Sequence, residues 1–186
     1  RRELVGSTEL NTPIIESSYE RVLDILQEQF ATHDFLLGDR PGRGDFGIYG
    51  QFTQLVKWDP TSMAVATKRA IKTINWTDRM DDLSWLPVEG DDGWVSLEAL
   101  PPATHKMLEE IGRTYAPFMV ANAQALMSGA DEAVCEIDGQ TYRQGPFAYQ
   151  GKCLKWLRDE YTSLSNTDRT RVDAALDGTG CEVLFA

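Results

Sequence analysis

Cysteine, histidine and basic residues are scarce in this chain, and each shortage narrows what it can do. Three cysteines stand in 186 residues, at positions 135, 153 and 181. They spell no CxxC pair and leave one thiol over, so neither a disulfide framework nor a thiolate zinc site is indicated. Disulfides are rare in the cytosol, and unpaired thiols fit a reduced, cytoplasmic protein. The two histidines, His33 and His105, have no second ligand at helical spacing, so no metal is expected. Lys and Arg total 18 against 29 Asp and Glu, a formal net charge of −11. Nucleic acid, which needs clustered cations, is not an expected partner. No apolar run approaches the ~18 residues a membrane span needs, and Arg1, Arg2, Glu3 and Leu4 lead into no signal segment. The first residue is Arg rather than Met, as in a piece of a longer protein. A P-loop, a dinucleotide fingerprint and a nucleophile elbow are also missing, since Gly42, Gly44 and Gly47 come after a helical pattern rather than a strand. Asp81–Asp82 and Asp91–Asp92 lack calcium-loop spacing.

What is present is a mainly α pattern with a hydrophobic share of 42% and a charged share of 25%, ordinary for a folded domain. Residues 1–16 read as loop. Ser17 and Glu20 spell a capping box, and Tyr19, Val22, Leu23, Leu26 and Phe30 continue it as the apolar face of a helix to about Ala31. The stretch 35–51 is the organising element of the chain. Gly38 and Pro41 punctuate a turn, and with Gly42 as N-cap, Asp45 falls at N3, where it can accept a backbone N–H. Pro41 and Phe46 are then placed as a hydrophobic staple, and Phe46, Tyr49, Phe52 and Val56 share one face. Gly47 and Gly50 inside this helix imply a closely packed neighbour.

This stretch resembles the C-terminal helical domain of the glutathione S-transferase superfamily, whose pattern F/Y-L-x-G-x-x-P-S/T-x-A-D-F/L joins two helices. The match runs to about Leu83, and Gly42 stands where the family has Ser or Thr, so only the Asp45 half of the box can form. In that family the motif serves folding. The resemblance implies that the domain's first helix and a thioredoxin-like domain lie upstream, and that the latter binds glutathione and carries the thiol-activating residue. No catalytic residue is therefore assigned here. A homodimer and a hydrophobic small molecule are further implied partners.

Trp58, Asp59 and Pro60 break the helical pattern. Residues 61–83 read as one or two helices with Ile71, Ile74, Trp76, Met80 and Leu83 inward, and 84–102 as a connection pinned by Trp85, Trp94 and Val95. A long helix is expected from Ala103 to Met127 on Leu108, Ile111, Tyr115, Phe118, Asn122 and Leu126, kinked at Pro117 and ended by Gly129. Residues 132–144 spell a hairpin on Asp138–Gly139, with Cys135, Ile137 and Tyr142 on one face and Val134, Glu136, Thr141 and Arg143 on the other. Next come a helix over 147–164 burying Cys153, Leu154, Leu157 and Tyr161, and a short one capped by Ser165–Asp168 and closed by Gly178. Cys181–Phe185 reads as a strand that could join the hairpin.

The hairpin and its flank resemble a C-terminal extension of a little-described branch of the same superfamily, in which EIDG-x-x-YRQ-x-PF-x-YQ-x-KCL-x-WLR recurs. The expected organisation is a helical core over 1–100 and, over 101–186, a long helix, hairpin and terminal helices packed on it. Tyr142, Arg143 and Trp156, with Gln144, Tyr149, Gln150 and Lys152 near in sequence, could line a pocket for a planar or anionic ligand. A hairpin packed on a helix with solvated cations at its rim accounts for the same residues, and is the preferred reading. Cys153, beside Lys152 and Lys155, is either a reactive thiolate or a small core residue, and free cysteines are usually buried.

Overall fold

The computed structural model describes residues 5–87, 90 and 92–186, so the expectations placed on Arg1–Leu4 and on Asp91 lie outside it. The chain is mainly helical with one small antiparallel sheet. Its elements are α1 (Thr12–Gln29), α2 (Arg43–Leu55), α3 (Pro60–Arg69), α4 (Ile71–Asp81), α5 (Pro102–Glu110), a π turn (Ile111–Tyr115), α6 (Ala116–Ser128), β1 (Ala133–Ile137), β2 (Gln140–Gln144), α7 (Ala148–Ser163) and α8 (Asn166–Leu176). Two compact units divide it: residues 20–106, and residues 5–19 with 107–186.

α1 begins earlier than the Ser17–Glu20 box implies. Thr8 opens it, its hydroxyl accepting the Asn11 N–H at 3.3 Å and its carbonyl the Thr12 N–H at 2.9 Å. Pro13 sits in the first turn, where no N–H is needed. Ser17 is left inside the helix, bonded to the Ile14 carbonyl at 3.1 Å. Capping at Ser17 would require extended backbone there and would break the turn that Thr8 has already started.

In the unit of residues 20–106, Leu23, Leu26, Phe35, Phe52, Val56, Trp76 and Met80 form the buried apolar set. Each such side chain contributes about 1.5–3 kcal/mol by leaving water. α2 presents Asp45, Phe52 and Val56 inward and leaves Phe46 53% exposed, so Phe46 supplies no buried half of a staple. At about 100° per residue, Asp45 lies about 20° from Phe52 around the helix, and Phe46 about 120° away. Gly47 and Gly50 face outward, and an added Cβ at either would meet nothing within 4 Å. Among the described residues the expected close neighbour is therefore not found. Gly47→Ala and Gly50→Ala should each stabilise the protein, by up to about 1 kcal/mol. Urea midpoints that fall for both variants would show that something does cover this face.

Asp59 caps α3, its Oδ1 accepting the N–H groups of Thr61 and Ser62, both at 3.0 Å. α4 buries Thr73, Trp76, Thr77 and Met80, while Ile71, at its first position, is 52% exposed rather than inward. Phe30 stacks on Trp76 with centroids 4.7 Å apart. The connection to α5 is held by main chain rather than by Trp85, which is exposed. Asp39 N–H donates to the Gly93 carbonyl at 2.8 Å, and Val95 N–H to that of Leu37 at 2.9 Å. A Cβ at Gly38 would stand 2.3 Å from the Gly93 oxygen, so only glycine permits this approach.

The long helix begins at Pro102 and, past Met107, runs on through the other unit with a change of pitch. Pro117 has no N–H to give the carbonyl four residues back, and the ladder responds with the π turn, Ala116 N–H reaching Ile111. α6 buries Phe118, Met119 and Asn122 and ends at Gly129, φ 69°. Tyr115 and Leu126 are more exposed than their periodicity suggests, as is Leu157 on α7. The hairpin has the expected register, Cys135 opposite Tyr142 and Val134 opposite Arg143, around Asp138 (φ 52°) and Gly139 (φ 71°). The tail is not a strand. Cys181–Leu184 is a 3-10 turn, and its buried residues, Cys181 and Leu184, are three apart, as that helix requires.

Candidate functional site

The turn before α2 is built around one carboxylate. Asp45 is fully buried. Its Oδ2 accepts the Gly42 N–H at 2.9 Å, and its Oδ1 the Leu36 N–H at 3.0 Å. The first bond is the half box expected from sequence; the second ties the end of the preceding segment to the same side chain. Gln29, also buried, completes the arrangement, donating from Nε2 to the carbonyls of Phe35 (3.2 Å) and Leu36 (3.1 Å) while its Oε1 accepts from Thr104 (3.2 Å).

Burial raises the Asp45 carboxyl above its usual 3.8, and the backbone donors only partly offset this. A raised folded-state pKa means that the folded protein holds this proton more readily than the unfolded chain. The contribution is therefore greatest below 3.8 and is lost as pH rises through the raised value. The stability advantage of the native protein over Asp45→Asn should shrink across the pH window just above 3.8, read from urea midpoints. An advantage that grows with pH there would mean that the two N–H donors outweigh burial.

The residues singled out as a ligand-binding set are dispersed. Strand alternation sends Tyr142 and Arg143 to opposite faces of the hairpin. Arg143 is exposed and pairs with Glu132 at 3.0 Å. Trp156 stands on α7, 53% exposed, its ring edge-on to Tyr149 at 6.2 Å. Tyr142 turns inward and meets Phe118 edge-to-face at 5.4 Å. Its hydroxyl donates to Gln144 Oε1 at 3.0 Å, and burial, then proximity to Cys135, pushes its pKa up.

Tyr142 also borders a cleft of about 200 Å³. Ile14, Ile15 and Ser18 of α1 form one side, Thr114 and Tyr115 of the π turn another, and Phe118 and Ile137 complete the lining with Tyr142. Asn11 fixes how α1 meets β2. Fully buried, its Nδ2 donates to the carbonyls of Gly6 (2.8 Å) and Arg143 (2.7 Å), and its Oδ1 accepts the Arg143 N–H at 3.2 Å. Sequence reasoning missed Asn11, which lies in the stretch read as loop.

The thiols pack with apolar groups. Cys181 is buried, its Sγ 3.1 Å from the Leu108 carbonyl, and burial raises its pKa. Cys135 is likewise raised, chiefly by burial. Cys153 packs half-buried against the cluster of Ala116, Met119, Leu154 and Leu184. Asp81 is engaged by Tyr49 and by Lys57 (2.5 Å), and Asp82 accepts the Ser84 N–H at 2.9 Å. Among the described residues, no three His, Cys, Asp or Glu side chains converge as metal ligands, and no helix is long and apolar enough to cross a membrane.

Compared with known proteins, the chain matches no family model, no curated protein and no solved structure.

Proposed function

We propose that this chain is the substrate-side helical part of a glutathione transferase-like protein, providing apolar surface beside a glutathione site carried on a separate thioredoxin-like domain. The turn at Asp45 carries the reading. Its N-cap at Gly42 and its buried N3 carboxylate on the Gly42 N–H are the arrangement that the resembled motif implies. In such a protein the glutathione thiolate, activated on the other domain, conjugates or reduces a hydrophobic electrophile. This part holds the electrophile and performs no chemistry alone. A cytoplasmic location and a homodimer belong to the same reading.

Calorimetric titration of the chain with glutathione and with S-hexylglutathione tests it. Heat from the hexyl conjugate and none from glutathione is the expected result. Equal affinity for the two, or conjugation of an aryl electrophile that responds to substitutions within this chain, would sink the reading. A second reading, a docking module of the same fold without ligand chemistry, draws on Met127 and Trp58, which are 81% and 77% exposed. Neither glutathione compound would bind in that case.

A further inference from the structure

The cleft beside the π turn is lined mostly by apolar groups, and three of its hydroxyls already donate within the protein. Ser18 gives its hydroxyl hydrogen to the Ile15 carbonyl at 2.9 Å, Thr114 to that of Glu110 at 2.7 Å, and Tyr142 to Gln144 at 3.0 Å. Among the described residues, none that lines the cleft is a carboxylate, an ammonium or a guanidinium. Burial keeps the phenols of Tyr115 and Tyr142 protonated by raising their pKa values. Ile14, Phe118 and Ile137 are almost wholly buried, while Ile15 and Tyr115, 37% and 43% exposed, stand where a ligand would enter.

Such walls treat candidate occupants very differently. A water molecule needs two to four polar partners, and a hydroxyl whose hydrogen is already given offers it lone pairs only. A charged or sugar-like molecule would be stripped of water without compensation. An uncharged ring loses little and gains contact with the buried isoleucines and the Phe118–Tyr142 pair. Size allows it: an enclosed apolar cavity of about 150 Å³ admits benzene, and this cleft, open to solvent on one side, offers about 200 Å³. We propose that this cleft is a binding site for a neutral, single-ring aromatic molecule with at most a short substituent. The site uses only residues between 14 and 18 and between 114 and 142, none of them in the stretch that carries the transferase reading, and stands apart from it.

The test is a titration of the whole chain, monitored by amide correlation spectra, with toluene, benzoate, benzylamine and glucose. Toluene should shift amides around Ile15, Thr114, Phe118 and Tyr142. Benzoate and benzylammonium should bind at least about tenfold more weakly, because their charge would be buried unpaired. Ile15→Trp, placed at the mouth, should fill the cleft and abolish the shifts without lowering the melting temperature; Ser18→Phe repeats the test if that variant folds poorly. Tyr142→Phe keeps the ring and should keep the binding. Charged and neutral rings of equal affinity, or binding that survives both plugging variants, would overturn the proposal. So would toluene shifts confined to residues 20–106, a result that leaves the transferase reading untouched. If binding fades as protein concentration rises while the sedimenting mass increases, the occupant is a second copy of the chain and the proposal fails.

Discussion

Gly112→Ala should be among the most damaging small substitutions in this protein, costing about 3 kcal/mol. Gly112 sits buried in the π turn, and the tail crosses it with backbone against backbone. A Cβ at this position would stand 2.0 Å from the Thr179 carbonyl oxygen and under 3 Å from Gly180, which has no side chain of its own to move aside. Gly180 holds φ 82°, so the tail cannot easily re-route either. Displacing 178–184 would pull Cys181 and Leu184 out of the cluster with Met119 and Leu154. Two measurements read the damage: a lower urea midpoint at unchanged slope, and a Cys181 thiol that reacts quickly with a thiol reagent in native protein. Gly145→Ala is the control, because nothing lies within 4 Å of a Cβ there. Identical behaviour of the two variants would show that the tail does not rest on Gly112.

What the sequence made legible was local. The hairpin needed only Asp138–Gly139 and the alternation around it, and its register came with them. Gly42, Asp45, the Ser165 cap on α8 and the stop at Gly129 are likewise set by residues a few positions apart. Errors arose where a distant partner decided. Ser17 and Glu20 spell a box as well as any in the chain, yet Thr8 opens the helix earlier and Asn11 anchors that opening to Arg143, 132 positions away. The tail looked β-like because Val183 and Phe185 are strand formers, but Cys181 and Leu184 answer to the cluster they enter. Pro117 announced a disturbance; that the helix would absorb it as a π turn depends on how the ladder re-pairs, which composition does not state.

The candidate ligand residues are dispersed for a related reason. Tyr142, Arg143 and Trp156 are close in sequence, but adjacent strand residues point apart, and Trp156 is paired on its own helix. Tyr142 borders the cleft beside the π turn. The other walls come from α1, the π turn, Phe118 of α6 and Ile137 of β1, and nothing in their composition marks them. Isoleucines that line a cleft are spelled the same way as isoleucines that fill a core. Buried amides were nearly as silent: Asn11 and Gln29 drew no attention, and Asn122 stood on the inward helix face with no partner named, yet each closes on backbone donors or acceptors elsewhere in the fold.

Asn122 provides the sharpest measure of what those amides do, and Asn122→Ala should cost about 3 kcal/mol, comparable to emptying a large apolar site. Asn122 lies on α6 with no exposed surface. Its Oδ1 accepts the Phe147 N–H at 2.7 Å and its Nδ2 donates to the Phe147 carbonyl at 3.2 Å, so one side chain grips both polar groups of the residue that caps α7. The two bonds are not equal. The Phe147 carbonyl also receives the Gly151 N–H at 3.3 Å and keeps a partner when the amide is removed. The N–H instead depends on the Asn122 oxygen at the helix start, and a donor that loses its partner at such a part-buried site costs a share of its desolvation penalty. Asn122→Asp separates these contributions. It keeps the acceptor, surrenders the donor, and places a negative charge at the N-terminus of α7, where the helix dipole offsets part of the burial cost. The expected order of urea midpoints is native, then Asn122→Asp, then Asn122→Ala, with the aspartate variant losing about half as much as the alanine one. If aspartate costs as much as alanine, the grip on the N–H is not what anchors α7. An alanine variant within the roughly ±0.5 kcal/mol usual for surface changes would show that this helix is held by its apolar face through Leu154 alone.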